Sequence, residues 1–521
     1  QKEFASRYAV GDELLTDLKR LRADRARQRA SAWRPATKMF FAAALVLIVA
    51  ALIAAGLVWR SATRVHTLAM LPITNESGDL SNNYMSVGLT RSLFDRFTGM
   101  PKLTVKLTTA APATPSDPAS QVGRDLGVEA VLSGSLINQA GKLQLHLRLT
   151  RTADRKTTWE QSFDVQSVDL FALQDSIATG VSTSVGLWMI GNEKKALVRR
   201  PTDNEEAMKA YIRGISSWNS RRDRDEVRTA IGYFDQAIAL DPSFAQAYAA
   251  RAECHLLRTT NVLYGPVDAV DEISKATFDA RKAIEINPLL AEAHTAIANI
   301  DLRYNWDWNE SEKEFKLAIQ LDPNYATAHF FYANLLALQH RFDESTAESV
   351  KGRSLDPYSA ISAVNYGRTL YYARRFEDER QVLQQRLDQD PSCGSCLHSM
   401  GLLLVQQGKL SEGIAVLEKR YAVDKWHVTA ALGYAYARSG RADDARGMLA
   451  ALDQSPYPVP SHERALIYLG LRDFDQAFIY FQKSCDERFA SIPFMSIDPL
   501  YDELRSDPKF MAIMNRANIT N

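Results

Sequence analysis

Proline sets the rhythm of the C-terminal half of this chain. Leu-Asp-Pro stands at 240–242, 321–323 and 355–357, with Ile286-Asn287-Pro288 and Gln389-Asp390-Pro391 as variants. Pro323 and Pro357 are 34 residues apart, as are Pro357 and Pro391, and Asp390 and Asp424, while Pro288 precedes Pro323 by 35. A period of this length implies two antiparallel helices per unit, the Asp-Pro pair closing the second. Proline cannot continue a helix, and it biases the preceding residue away from the αR conformation. Neighbouring units then bury one another's faces, so the chain must stack into a solenoid.

This is the period of the tetratricopeptide (TPR) repeat. Ala230, Phe234 and Ala237 precede Pro242 at the offsets that repeat favours, and Phe315 and Ala318 precede Pro323 in the same way. Ala333, Gly367, Gly401 and Ala435 stand one period apart and fall midway along successive first helices, where bulk would wedge the helices apart. The interval from Pro242 to Pro288 is 46 residues, which places an insertion near 259–269, and Pro456, Pro458 and Pro460 make the unit at 440–461 irregular. Eight helix pairs are expected over 207–486. A polar-faced helix at 498–504, within a C-terminal cap over 487–521, would close the stack.

Residues 67–190 have another texture. A buried strand is expected at 67–71, a helix at 81–97 carrying Tyr84, Leu89, Leu93 and Phe97, and a second strand at 103–107. Residues 110–118 read as a proline-rich loop. A hairpin is expected from 128–137 and 143–149, because Leu143, Leu145, Leu147 and Leu149 alternate with Gln144, His146 and Arg148. A strand at 159–165 and a helix at 170–187 complete a compact α+β domain, joined by a linker at 191–206 to the repeats.

Upstream, Met39 to Trp59 is a run of 21 uncharged residues. At ~1.5 Å per residue it would span about 31 Å, the thickness of a bilayer core, so it reads as a transmembrane helix in contact with lipid. Ten basic residues precede it, among them Arg20, Arg22, Arg25, Arg27 and Arg29, and only Arg60 and Arg64 follow closely. That asymmetry puts residues 1–38 in the cytoplasm and everything after the run outside a bacterial inner membrane. With 62 basic and 62 acidic residues the net charge is zero, which argues against nucleic-acid binding. Four cysteines are too few for a disulfide-held scaffold. Cys393-Gly394-Ser395-Cys396 has redox or metal spacing, but a single such motif is weak, and two small residues at a helix start explain it more simply. His294 and His329, 35 apart, occupy equivalent places in adjacent repeats. No metal, cofactor or catalytic site is expected.

Leu71-Pro72-Ile73-Thr74-Asn75-Glu76-Ser77-Gly78-Asp79, then Tyr84, Gly88-Leu89, Gly123-Arg124-Asp125-Leu126-Gly127-Val128, Leu132-Ser133-Gly134-Ser135 and Phe171-Ala172-Leu173-Gln174-Asp175 resemble the TolB-N-terminal-like domain of bacterial signalling proteins. There the domain lies between one membrane helix and TPR repeats, and the cytoplasmic partner is a serine/threonine kinase, a winged-helix regulator or an adenylate cyclase. Arg7-Tyr8 with Glu13-Leu14-Leu15-Thr16-Asp17-Leu18 resembles the last helix of a bacterial protein-kinase domain. The Gly-rich loop, His-Arg-Asp and Asp-Phe-Gly parts of a kinase are missing from 1–38. The resemblance implies a single-pass membrane protein, a small α+β domain followed by an all-α TPR solenoid, with a kinase core upstream.

The repeats supply the candidate binding face. Asn334 and Asn365 occupy places where chaperone-type TPR clamps hold a peptide carboxylate, but Phe330, Ser395 and Ser399 stand where those clamps carry basic residues. The expected site is therefore a protein or peptide groove without a carboxylate clamp, lined by Asn334, Arg368, Tyr371 and Tyr436. The expected function is an extracytoplasmic sensor and interaction region of a signalling protein. The alternatives are a membrane-tethered TPR assembly scaffold and the periplasmic part of a winged-helix regulator; a homodimer is compatible with each.

Overall fold

A computed structural model describes residues 13–28, 65–98, 100, 103–108, 118–165, 169–186, 200–220, 224–259, 269–426, 428–456 and 458–519. The chain divides into two units, 1–64 and 65–521. In the first, 13–28 is a helix with every residue exposed, Leu14, Leu15, Leu18 and Leu21 included. The expected single-pass membrane class is corrected here. Among the described residues no helix is long and apolar enough to cross a membrane. The helices are amphipathic instead: Ala269–Ile286, 18 residues long, carries Asp271, Glu272, Lys275 and Asp279. The run at 39–59 lies outside the described residues. What the structure shows is a mixed sheet domain leading into a mostly helical TPR-like solenoid.

The sheet domain comprises β1 (Thr67–Met70), β2 (Thr74–Glu76), β3 (Thr104–Leu107), β4 (Ala130–Gln139), β5 (Lys142–Arg151) and β6 (Thr157–Asp164), with helices α1 (Asn83–Thr98), α2 (Pro118–Asp125) and α3 (Leu170–Ser184). The order is β3-β1-β4-β5-β6, with β2 pairing β4 off this path. β1 pairs in parallel with β3 and β4, and β4 runs antiparallel to β5 with Ala130 opposite Arg151 and Gln139 opposite Lys142. Ala140 and Gly141 both have positive φ, 54° and 78°, the two-residue turn whose twist suits a hairpin. The leucines of β5 point into the core with Leu89, Leu93, Phe97, Leu173, Ile177 and Val181 from α1 and α3. On the opposite face, Ala69, Leu71 and Val131 meet Val122 and Leu126 of α2 or the turn after it. The proline-rich stretch expected as a loop thus ends in a helix, with Pro118 at its first position, where a missing N–H costs nothing.

Eight helix pairs follow among the described residues: α4 (Glu205–Ser220) with α5 (Arg224–Leu240), α6 (Ala245–Arg258) with α7 (Ala269–Ile286), α8 (Ala291–Ile300) with α9 (Trp308–Leu321), α10 (Ala326–Leu338) with α11 (Phe342–Leu355), α12 (Ala360–Tyr372) with α13 (Phe376–Gln389), α14 (Gly394–Gln406) with α15 (Leu410–Tyr421), α16 (Thr429–Arg438) with α17 (Ala442–Asp453), and α18 (Ser461–Gly470) with α19 (Phe474–Asp486). The Asp-Pro signature has a local cause. After the stops at Asp241, Asn287, Asp322 and Asp390 the side chain accepts the amide two residues on, Ser243 N to Asp241 Oδ1 at 2.9 Å, Leu289 N to Asn287 Oδ1 at 3.2 Å, Asn324 N to Asp322 Oδ1 at 2.9 Å and Ser392 N to Asp390 Oδ1 at 3.1 Å. This side-chain turn reverses the chain into the next pair. Within pairs, His340, Arg374, Gly408, Gly440 and Arg472 end the first helices in left-handed backbone, φ between 59° and 84°. The next amide then reaches back, as Arg375 N does to Leu370 O at 2.8 Å.

Successive first helices pack on one another directly, and no two successive second helices do so to the same extent, so the first helices form the inner wall. The sheet domain docks on this wall. Gly88 of α1 lies so close to Ile212 of α4 that a Cβ there would stand 1.9 Å from Ile212 Cγ2. Arg91 Nη2 pairs with Glu292 Oε1 of α8 at 2.7 Å, and the Tyr358 hydroxyl donates to Asp125 at 2.6 Å.

The C-terminal segment departs from the expected cap. It forms 3-10 turns at Pro493–Ser496 and Pro499–Leu504 and a helix α20 (Pro508–Arg516). Rather than only covering the last pair, it doubles back along the inner wall. Phe494, Leu500, Tyr501, Leu504 and Phe510 join one core with Tyr372 of the fifth pair, Leu403 of the sixth and Tyr434 of the seventh.

Candidate partner-binding face

The inner wall presents arginines and tyrosines where the first helices end, and the returning segment lies against them. Arg303 donates to the carbonyl of Ala490 at 3.5 Å and places its guanidinium 5.0 Å over the Phe494 ring. Tyr372 stacks on Phe494 with centroids 5.9 Å apart. Gln406 Nε2 donates to Pro499 O at 3.2 Å. Arg374 meets Asp502 at 2.7 Å, and Arg438 and Arg472 grip Glu503 at 3.0 and 3.1 Å. Nearer the third pair, Arg488 donates to Tyr304 O at 3.0 Å and Asn518 to Trp306 O at 3.1 Å.

Beneath this rim lies a set of ill-solvated acids. Burial raises the Asp498 carboxyl to about 6, against the lowering effects of the Leu500 amide, Tyr371, Arg505 and Arg368. Glu463 is raised to about 7 by burial alone. Glu379, 3% exposed, sits well above the carboxylate range, through burial first and the charge of Asp498 second, and its Oε2 has no hydrogen-bond partner. Burial also pushes His462 down to about 4, while its Nε2 lies 2.8 Å from the Tyr501 hydroxyl.

The four residues expected to line a groove have different surroundings. Arg368 and Tyr371 come together on α12, both facing Asp498 of the returning segment. Tyr371 is 8% exposed, its ring 5.6 Å from Phe376. Asn334, on α10, is 1% exposed with Nδ2 unpartnered. Tyr436 donates to Glu418 Oε1 at 2.9 Å, under the Arg441 guanidinium 4.1 Å from its ring, and so ties the sixth pair to the seventh. Arg374, Arg438 and Arg472 were not expected. The one local signal for them is that Arg374 and Arg472 hold left-handed backbone where neighbouring repeats place Gly408 and Gly440.

The histidine pair behaves as repetition predicts. His294 sits 2.5 Å from Glu314 and 2.9 Å from Pro288 O; His329 sits 2.6 Å from Glu348 and 3.0 Å from Pro323 O. Each tethers a first helix to its partner and to the preceding turn. Cys393 and Cys396 differ from their reading as two small residues: their Cα atoms are 5.3 Å apart across the start of α14, and the structure joins them in a disulfide.

No family model matches the chain. The likeness of 67–190 to the TolB-N-terminal-like domain and of 1–38 to the end of a kinase domain therefore rests on the residues alone. Over 239 residues the chain is 24% identical to "Putative adenylate cyclase 3" of Rhizobium meliloti (strain 1021), covering 44% of this chain and 39% of that protein. Over 194 residues it is 24% identical to "Mitochondrial import receptor subunit TOM70" of Homo sapiens, covering 36% and 30%. The chain thus spans well under half the length of these curated relatives. The solved structure of PilW, a type IV pilus biogenesis factor, overlies 42% of this chain and 92% of its own at 17% identity and a TM-score of 0.32. The TPR-like assignment rests on the helix pairs and their period rather than on that likeness.

Proposed function

We propose that residues 65–521 are a protein-interaction scaffold within a larger signalling protein, receiving a protein or peptide segment on the inner wall around Arg368 and Tyr371. The observation that carries this reading is the wall's present occupant: a segment of two 3-10 turns already lies there, held by arginines, stacked aromatics and carbonyl acceptors. A wall that seats one such segment has the chemistry to seat another. A serine/threonine kinase as the catalytic partner of the scaffold follows from the resemblance of residues 1–38; the cyclase relative, matched over 39% of its length, supports the same plan with a different catalytic part.

A photo-crosslinking residue placed at Arg374 or Arg472 of the inner rim tests this, with Lys313 and Arg446 of the second helices as controls. Crosslinks to another protein from the rim positions and not from the controls are expected. Equal capture at all four positions, or capture from the controls alone, overturns the reading.

A further inference from the structure

The returning segment and the wall it occupies are charge-complementary along one line. Asp502 and Glu503, adjacent in sequence, face Arg374 of the fifth pair, Arg438 of the seventh and Arg472 of the eighth. The arginines come from three repeats, so only a segment lying across the wall can engage all of them. Arg374 and Arg472 stand in left-handed backbone, φ 63° and 62°, where glycine would be free of strain, so each arginine stands there at a conformational cost. The turn they hold is divided in character. Leu500, Tyr501 and Leu504 point inward and are buried, whereas Asp502 and Glu503 remain accessible. Arg374 and Asp502 are exposed, with side-chain accessibilities of 43% and 46%, so that pair alone binds weakly and exchanges readily, whereas Glu503, 25% accessible between Arg438 and Arg472, is held by two guanidiniums at once.

We infer that the segment 493–507 is an internal ligand: it fills the place of an acidic, aromatic-bearing partner segment, and the row Arg374, Arg438 and Arg472 is the recognition element for the acids of that partner. This deepens the scaffold reading and rests on it for the existence of a partner. The partner's segment carries two adjacent carboxylates flanked by a large apolar or aromatic residue on each side, the pattern of Leu500-Tyr501-Asp502-Glu503-Leu504. It competes with the chain's own segment, so the scaffold is closed until a partner of that chemistry is present.

The probe is a fluorescein-labelled peptide with the sequence of residues 493–507, titrated by anisotropy into the full chain. The unaltered protein should bind it weakly, because the internal segment is always at hand. Asp502→Arg with Glu503→Arg, at accessible positions, should weaken the internal competitor and tighten binding of the unaltered peptide at least tenfold. Adding Arg374→Glu, Arg438→Glu and Arg472→Glu to that protein should reverse the gain, since the internal pairing is restored with its signs exchanged. Hydrogen exchange over 499–504 reports whether the segment has loosened in each variant. Equal peptide affinity in all three proteins overturns the inference, as does faster exchange at 499–504 without any gain in peptide binding. If the peptide results hold while the crosslinking experiment captures no rim partner, the internal ligand stands and the scaffold reading falls.

Discussion

Replacing Gly88 by Ala tests whether the sheet domain and the solenoid form one packed body. A Cβ at this position would lie 1.9 Å from Ile212 Cγ2 and 2.7 Å from Ile212 Cβ. Carbon atoms in contact prefer ~3.5 to 4.0 Å, so α1 and α4 must separate locally by about 1 to 2 Å. Ile212 cannot swing clear, because a β-branched side chain keeps a methyl or methylene near its Cβ in every rotamer. Overpacking of this kind costs ~1 to 3 kcal/mol. Arg91, one turn along α1, would also be drawn from Glu292. Ile212→Ala alone should cost about 2 to 5 kcal/mol through the cavity it leaves, since Ile212 is 4% exposed. In the double variant the new methyl partly fills that cavity, so the two costs should fall short of their sum by ~1 kcal/mol or more. Urea unfolding measures the totals, and hydrogen exchange over 83–98 and 205–220 localises them. Additivity within about 0.5 kcal/mol would refute the contact.

Three further outcomes are expected. Gly401→Ala places a Cβ 2.5 Å from Leu417 Cγ and should destabilise the sixth pair by ~1 to 3 kcal/mol, measured as a lowered unfolding midpoint; no loss would contradict the close helix approach there. For pH, Asp498 is raised from 3.8 to about 6, so the folded state keeps a proton that the unfolded chain has released, and stability present below pH 4 is lost as pH rises through 6. Asp498→Asn removes that slope and should gain on the unaltered protein by about 1 to 3 kcal/mol between pH 4 and 7, read from midpoints across pH; a constant offset would refute it. Cys254 and Cys485 are buried and Cys393 is bonded to Cys396, so the folded protein should show no rapidly reacting thiol and the unfolded, unreduced chain two.

How far the fold could be read depended on the range of each signal. The Asp-Pro period was legible because its causes lie within two residues of each proline: a stopped helix and an Asx turn. The β4–β5 hairpin was legible because four leucines alternate along one strand. β2, only Thr-Asn-Glu, has no apolar pattern and exists because it lies beside Ser135 to Ile137 of β4. Helix α2 was hidden by the prolines before it. Arg368 and Tyr371 could be singled out by their place in the repeat, but nothing local says that Asp498, more than 120 residues later, comes to face them. That contact depends on the curl of the whole solenoid, which brings the third pair and the eighth to the same segment.

The first helices of the third and fifth pairs are engaged at both ends. Glu292 opens α8 and binds Arg91 of the sheet domain, and Arg303, just beyond that helix, contacts Ala490 and Phe494. Tyr358, two residues before α12, holds Asp125, while Tyr372 and Arg374 at its far end hold Phe494 and Asp502. A helix is stiff along its axis over three or four turns, so neither contact can be strained without a load on the other through the same backbone hydrogen bonds. Release of the Pro499–Leu504 turn by a partner would therefore change the seating of the sheet domain only in so far as α8 and α12 shift as bodies. Linkage requires the reverse to hold equally: loosening α1 with Gly88→Ala should weaken the grip on the turn by the same free energy. Independent behaviour of Gly88→Ala and of Asp502→Arg would mean that each end of the wall yields alone, and that the two docked parts merely share a support.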